Sequence, residues 1–191
     1  QIVETKMRSL VLSAIALAAF SSNAMAAPPQ WSLDTAKSTL GFHVVANGQP
    51  VDGTLPFGAV IAFDATDLAH SSIKATIDVT SPKSGNSTRD AMLPLPAWFD
   101  AKQFPKAQFV STSITSKGGD SYEAAGTLTL KGISKPVTLA FTLTITGNSA
   151  HATGEATLQR LDFKVGEGKD FAPPAAALDV KVTVDITASR K

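Results

Sequence analysis

Tyr122-Glu123-Ala124-Ala125-Gly126-Thr127-Leu128-Thr129-Leu130, then Lys131-Gly132-Ile133-Ser134-Lys135-Pro136, then Val137-Thr138-Leu139-Ala140-Phe141-Thr142-Leu143-Thr144-Ile145-Thr146, is the stretch whose reading decides the fold. In the first arm Tyr122, Ala124, Gly126, Leu128 and Leu130 share one parity, and Glu123, Ala125, Thr127 and Thr129 the other. In the second arm Val137, Leu139, Phe141, Leu143 and Ile145 oppose Thr138, Thr142, Thr144 and Thr146. A period of two turns one parity inward and the other to water, which a helix of period 3.6 cannot do. The two arms form a β-hairpin. Gly132 suits the positive φ of a tight turn, and Pro136 is tolerated where the returning strand starts. A chain built from this unit is antiparallel and all-β.

The same alternation recurs on both sides. Residues 31–47 carry Leu40, Phe42, Val44 and Ala46 on one parity and end in the turn pair Asn47-Gly48; residues 50–64 return with Phe57, Ala59, Ile61 and Phe63. Gly53 and Gly58 on that strand are expected to mark bends or bulges. Residues 71–80 form a third strand through Ile73, Ala75, Ile77 and Val79. Strands resume at Ala107, after the hairpin at Ala150, and at Leu178, where Val180, Val182, Val184 and Ile186 alternate with Lys181, Thr183, Asp185 and Thr187. The chain thus reads as eight strands joined mainly by short turns.

Residues 87–105 break the pattern. Ser87 and Asp90 resemble a capping box for one helical turn near residues 89–93, which Pro94 and Pro96 stop. This segment also holds Met92, Leu93, Trp98, Phe99 and Phe104, apolar groups that need something to cover. They either plug the sheet as ordinary core or form a lid over a cavity mouth.

The start of the chain stands apart. Arg8, an apolar run over residues 10–20 and Ala24-Met25-Ala26 have the layout of a cleavable export signal, which places cut residues at 1–26 and a single domain at 27–191. That domain has the size of one ordinary core. The 17 basic and 16 acidic residues fall to 15 of each once Lys6, Arg8 and Glu4 are removed, so there is no bulk attraction for nucleic acid. With no cysteine, the exported protein holds together without disulfides, and thiolate metal sites are excluded. His43, His70 and His151 lack ligand spacing, so no metal site and no cofactor is expected. No nucleophile, base and orienting group can be assigned together, which argues against an enzyme.

Strands of about ten residues span roughly 33 Å each before tilt. Closing eight of them removes both sheet edges and leaves an interior that is either filled or holds one small ligand. The inward parity mixes Phe and Leu with Ala59, Ala75, Ala124, Gly126, Ala152, Gly154 and Ala156, a composition that allows an elongated apolar cavity. Alternation also permits an outer-membrane barrel with the apolar parity outward, although one Tyr and two Trp are few for aromatic girdles. The strand count allows a β-sandwich interaction module as well.

Arg89-Asp90 with Leu93, Trp98-Phe99-Asp100, Phe104-Pro105, Phe109 with Ser111-Thr112, the run from Gly126 through Gly132 to Val137, and Arg160 with Asp162-Phe163 together resemble the YceI-like family. The match runs in order over nearly the whole domain. The resemblance implies an exported, periplasmic, lipocalin-like antiparallel barrel with a short helical lid, holding a polyisoprenoid lipid such as a prenyl quinone or polyprenyl phosphate. It also implies, by analogy, a cytochrome b561-type membrane protein as partner. Candidate lipid contacts are then Phe42, Phe57, Phe63, Met92, Trp98, Phe99 and Phe104 on one side of the sequence, and Phe109, Leu128, Leu130, Phe141, Leu143 and Phe163 on the other. Arg89, at the expected mouth, is the candidate for a lipid head group, since a planar guanidinium pairs well with phosphate. Asp90, Arg160 and Asp162 are expected, with Arg89, to make ion pairs that pin loop to barrel. Two departures stand out: Met92 replaces a His common in the family, and Lys164 replaces a Gly.

Overall fold

The computed structural model describes residues 26–191. The export signal expected over residues 1–26 lies, but for Ala26, outside the described residues. Ten strand segments form one antiparallel sheet: β1 (Gln30–Leu33), β2 (Thr39–Ala46), β3 (Gln49–Thr54), β4 (Phe57–Ala62), β5 (Ser72–Asp78), β6 (Lys106–Gly118), β7 (Ser121–Leu130), β8 (Ile133–Thr146), β9 (Ser149–Gln159) and β10 (Asp179–Arg190). Neighbours in sequence are neighbours in the sheet from β4 to β10, and β1 closes the ring by pairing with both β10 and β4, with Trp31 opposite Arg190 and Ile61. β1 and β2 lie end to end along β10, so they act as one interrupted strand, and β3 and β4 act as another. The result is the expected eight-stranded closed barrel. Closure rules out the two open sheets of a sandwich.

The interruptions have local causes. Pro56, with no amide to donate, falls between β3 and β4. Between β1 and β2 the Ser38 hydroxyl replaces a ladder rung, accepting from the Thr187 amide at 3.0 Å and donating to the Thr187 carbonyl at 3.3 Å. Gly58, expected at a bulge, sits in continuous register instead, Gly58 facing Thr76. Gly53 serves contact rather than bending: it pairs with Phe42, whose ring lies where a Cβ would stand. Gly126 is covered by Phe109 in the same way. Gly53 and Gly126 therefore seat aromatic rings from neighbouring strands rather than leaving empty volume.

The central hairpin is as read, with one shift. Lys131 (φ 52°) and Gly132 (φ 73°) form the two-residue turn, and β8 starts at Ile133, so Pro136 lies inside the strand, opposite Thr127. It is tolerated there because β8 has its second neighbour, β9, only from Ala140 onward. The helix α1 (Ser87–Met92) is capped by Asn86, not by Ser87: the Asn86 side chain accepts from the Arg89 amide at 3.0 Å. Asp90 reaches back to the Ser84 amide (2.8 Å) and hydroxyl (2.6 Å), holding the segment before the helix.

The barrel has two unlike ends. At one, the Trp31 indole donates to the Phe63 carbonyl at 3.1 Å, Phe63 meets Tyr122 edge-on at 5.4 Å, and Tyr122 stacks on Phe141 at 5.5 Å. Aromatic rings pack against one another at that end. At the other end lie the Asn47-Gly48 and Lys131-Gly132 turns, the α1 connection, and the long β9–β10 connection with its two 3₁₀ turns, Arg160–Phe163 and Lys169–Phe171. Lys164 ends the first of these at φ 54°, a left-handed conformation that costs a side chain with a Cβ about 1 kcal/mol.

Asp78 and Lys106 pin the start of the lid connection at 2.6 Å. The Asp78 carboxyl is lowered from the ordinary 3.8 to about 2, first by the Lys106 ammonium and then by the Thr80 hydroxyl and amide. A folded value below the unfolded one means that this group supports the fold above about pH 4 and ceases to do so as pH falls toward 2. Melting temperatures followed by circular dichroism from pH 6 to pH 2 are expected to fall less for Asp78→Asn than for the unaltered protein across that window. Parallel curves would contradict the assignment.

Candidate functional site

Inside the barrel is a cavity of about 590 Å³, within the range of small-molecule sites. Its wall is the inward parity of the strands. Ala59 pairs with Ala75, and Ala75 with Phe109, so two methyl groups side by side leave room that larger residues would fill. Ala152 and Ala156 on β9 do the same on the facing side. The outward parity carries Thr, Lys and Glu, with Lys181 bonded to Glu155 and Thr142 to Thr153. That polarity is the reverse of an outer-membrane barrel, whose apolar parity faces lipid.

Thirteen of the fourteen candidate residues line this cavity. Phe42, Phe57, Phe63, Phe109, Leu128, Leu130, Phe141 and Leu143 come from the barrel, Phe163 from the β9–β10 connection, and Arg89, Met92, Trp98 and Phe99 from the β5–β6 connection. Phe104 does not. Its ring packs over the Lys131-Gly132 turn, 2.7 Å from where a Gly132 Cβ would stand, because residues 100–105 run outside the barrel end before β6 begins. Other lining residues were visible as parity but not singled out: Val180, Val182, Val184 and Ile186 on β10, and Leu40 and Val44 on β2. Phe171, Ala175 and Ala176, from the β9–β10 connection, had no periodic signal at all.

Polar groups on the lining are confined to the mouth: Asn47, Arg89, Arg160 and Asp170. Arg160 is 4% exposed and spends all its donors on carbonyls. Nε donates to Ala177 (2.8 Å), Nη1 to Val165 (2.9 Å) and Gly166 (2.6 Å), and Nη2 to Phe171 (2.6 Å) and Ala176 (3.0 Å). Burial lowers its pKa, yet a guanidinium stays charged. The expected ion pairs are not what holds the loops: among the described residues Arg89, Asp90, Arg160 and Asp162 take part in none. Arg160 ties the β9–β10 connection to itself through its backbone, and Asp162 is exposed. Among the described residues the Arg89 guanidinium has one partner, the Ser84 hydroxyl at 3.3 Å, and so retains donors at the mouth. Met92, one turn from it, makes that wall apolar.

Over the mouth, Trp98 meets Phe171 edge-on at 5.0 Å, joining the two lid segments, and the Gly166 amide donates to the Ala97 carbonyl at 2.7 Å. The Trp98 indole nitrogen is buried without a hydrogen-bond partner among the described residues. The three histidines lie on the exterior, each beside an aspartate at 2.8 Å: His43 with Asp52, His70 with Asp67, His151 with Asp185.

Comparison with known proteins agrees with this geometry. A UPF0312 protein of Photorhabdus laumondii is 28% identical over 190 residues, covering 94% of this chain and 96% of the relative. The crystal structure of Burkholderia cenocepacia BcnA superposes with a TM-score of 0.79 at 31% identity, covering 83% of this chain and all of that one. A polyisoprenoid binding domain from Saccharophagus degradans shares the fold at a TM-score of 0.66 and 12% identity, over 84% of this chain and 98% of its own. The YceI-like domain profile matches residues 31–188, and the chain therefore belongs to the YceI-like family.

Proposed function

We propose that the protein is an exported, periplasmic, non-enzymatic carrier that shelters one polyisoprenoid lipid inside the barrel. The observation that carries this reading is the cavity itself: flanked at one end by packed aromatic rings, apolar along its length, and polar only at the mouth. A long isoprenoid with a small polar head matches that distribution, tail inward and head beside Arg89. Burial of isoprenoid surface contributes roughly 25 cal/mol per Å², so tail length outweighs head-group identity. A fold neighbour described as a polyisoprenoid binding domain supports the ligand class. The leader pattern over residues 8–26 supports export. A prenyl quinone or a polyprenyl phosphate is the cargo in this reading, and a cytochrome b561-type membrane protein is the partner by family analogy.

Titration with prenols from geraniol to decaprenol, followed by quenching of tryptophan emission, tests it. Affinity is expected to rise with each isoprene unit until the cavity is full. Arg89→Gln is expected to weaken a polyprenyl phosphate by about tenfold, the worth of one charge-assisted contact, and to leave the matching prenol unchanged. Affinity indifferent to tail length would contradict the carrier reading; an Arg89→Gln effect equal for both ligands would remove Arg89 from the head-group site.

A further inference from the structure

Seven large apolar side chains are exposed among the described residues, and four of them, Val45, Leu95, Leu161 and Leu178, belong to the mouth end of the barrel. Hydrogen bonds join the segments that carry them into one rim. The Ala177 amide donates to the Val45 carbonyl at 2.8 Å and the Arg160 amide to the Leu178 carbonyl at 3.0 Å. The Lys131 ammonium bridges the Pro96 and Lys164 carbonyls at 2.7 and 2.8 Å, which brings the Leu95 segment beside the Leu161 turn. Charge gathers at this end too. Residues 78–106, 131–135 and 160–179 hold nine Lys and Arg against seven Asp and Glu, whereas the described residues together hold 15 of each. Lys102, Lys164 and Lys169 are exposed there.

Leucines set among lysines around the opening of an apolar cavity have one physical use that isolated surface leucines lack. Apolar side chains can enter the head-group layer of a bilayer while lysine stems reach its phosphates. An isoprenoid moving between bilayer and cavity then never exposes its length to water, which removes the largest cost of the transfer. We infer that this rim is a docking surface for an anionic phospholipid bilayer, with Leu95, Leu161 and Leu178 inserting and Lys102, Lys164 and Lys169 facing lipid phosphate. The purpose assigned to the contact rests on the carrier reading; the contact itself is measurable without cargo.

The test is co-sedimentation of the purified protein with cargo-free vesicles of phosphatidylcholine, alone or mixed with phosphatidylglycerol. The protein is expected to pellet with the mixed vesicles and less with phosphatidylcholine alone, since each basic side chain near an anionic surface adds to binding. The combined variant Leu95→Ser, Leu161→Ser, Leu178→Ser is expected to lose about tenfold or more in vesicle affinity. Val60→Ser with Val110→Ser, exposed apolar positions on the barrel wall, is expected to change nothing. Binding of geranylgeraniol in free solution, expected unchanged in the rim variant, reports separately on the cavity. A rim variant that pellets like the unaltered protein, a wall variant that loses as much, no pelleting by any form, or pelleting only with vesicles that carry an integral membrane protein would each overturn the docking surface. Loss of geranylgeraniol binding by the unaltered protein would instead overturn the carrier reading.

Discussion

Arg160→Met is expected to destabilise the protein by about 3 kcal/mol or more and to free the β9–β10 connection, because it strands up to five carbonyls whose side-chain donor among the described residues is this guanidinium. Methionine keeps most of the length and apolar volume of the stem, so the loss is specific to the donors. Lysine restores charge but offers a compact ammonium in place of a planar fork, and Arg160→Lys is expected to recover only part of the loss. Denaturant titration gives the stability change. Limited proteolysis locates it: cleavage is expected to appear between residues 164 and 178 before the barrel strands are cut. Equal protection of that connection in the methionine variant would show that packing by Phe163, Val165 and Ala176 holds it without the arginine.

The second large effect has opposite signs for stability and for binding. Ala75→Trp places an indole where β5 passes the cavity, between Ala59 on one side and Phe109 on the other. In a filled core such a change costs about 1–3 kcal/mol through overpacking. Here the wall opens onto free volume, so the melting temperature is expected to hold or rise, while affinity for a long prenol falls by about tenfold or more as ligand contact area is displaced. Lower stability together with unchanged prenol binding would mean that the cavity is not where the ligand lies. This substitution is more informative than a charge at Leu128 or Phe141, both buried, where an unpaired carboxylate would threaten the fold itself.

The barrel was legible because alternation is a local signal that closure makes consistent everywhere. The hairpin from Tyr122 to Thr146 and the last strand around Val182 carry it so cleanly that Leu128, Leu130, Val137, Leu139, Phe141, Val182 and Val184 line the cavity as the parity implies, although Tyr122, Ala124 and Gly126 do not. What escaped has particular reasons. The breaks at Ser38 and Pro56 do not interrupt the inward parity enough to show, since a hydroxyl in one case and a missing amide in the other act on hydrogen bonds rather than on hydrophobicity. Phe104 reads as a candidate lipid contact along with Trp98 and Phe99, but outside a strand or helix there is no period to say where a ring points, and its partner is a turn 28 residues away. Arg160 looked like half of an ion pair because Asp162 stands beside it in sequence. Its true partners are main-chain carbonyls, which every residue possesses and which no residue type announces. The small inward residues hinted at a cavity, but some of that room, at Gly53 and Gly126, is taken by neighbouring rings. Only the three-dimensional sum separates the free volume beside Ala75 from the filled volume at Gly126.

Mass spectrometry of lipid extracted from the protein purified out of its native envelope, with Ala75→Trp prepared in parallel, addresses the cavity's purpose most directly. The expected result is one polyisoprenoid species, close to one per chain in the unaltered protein and strongly depleted in the variant. Extracts free of isoprenoid from a folded, unaltered protein, or the same lipid in equal amount from both forms, would contradict the carrier.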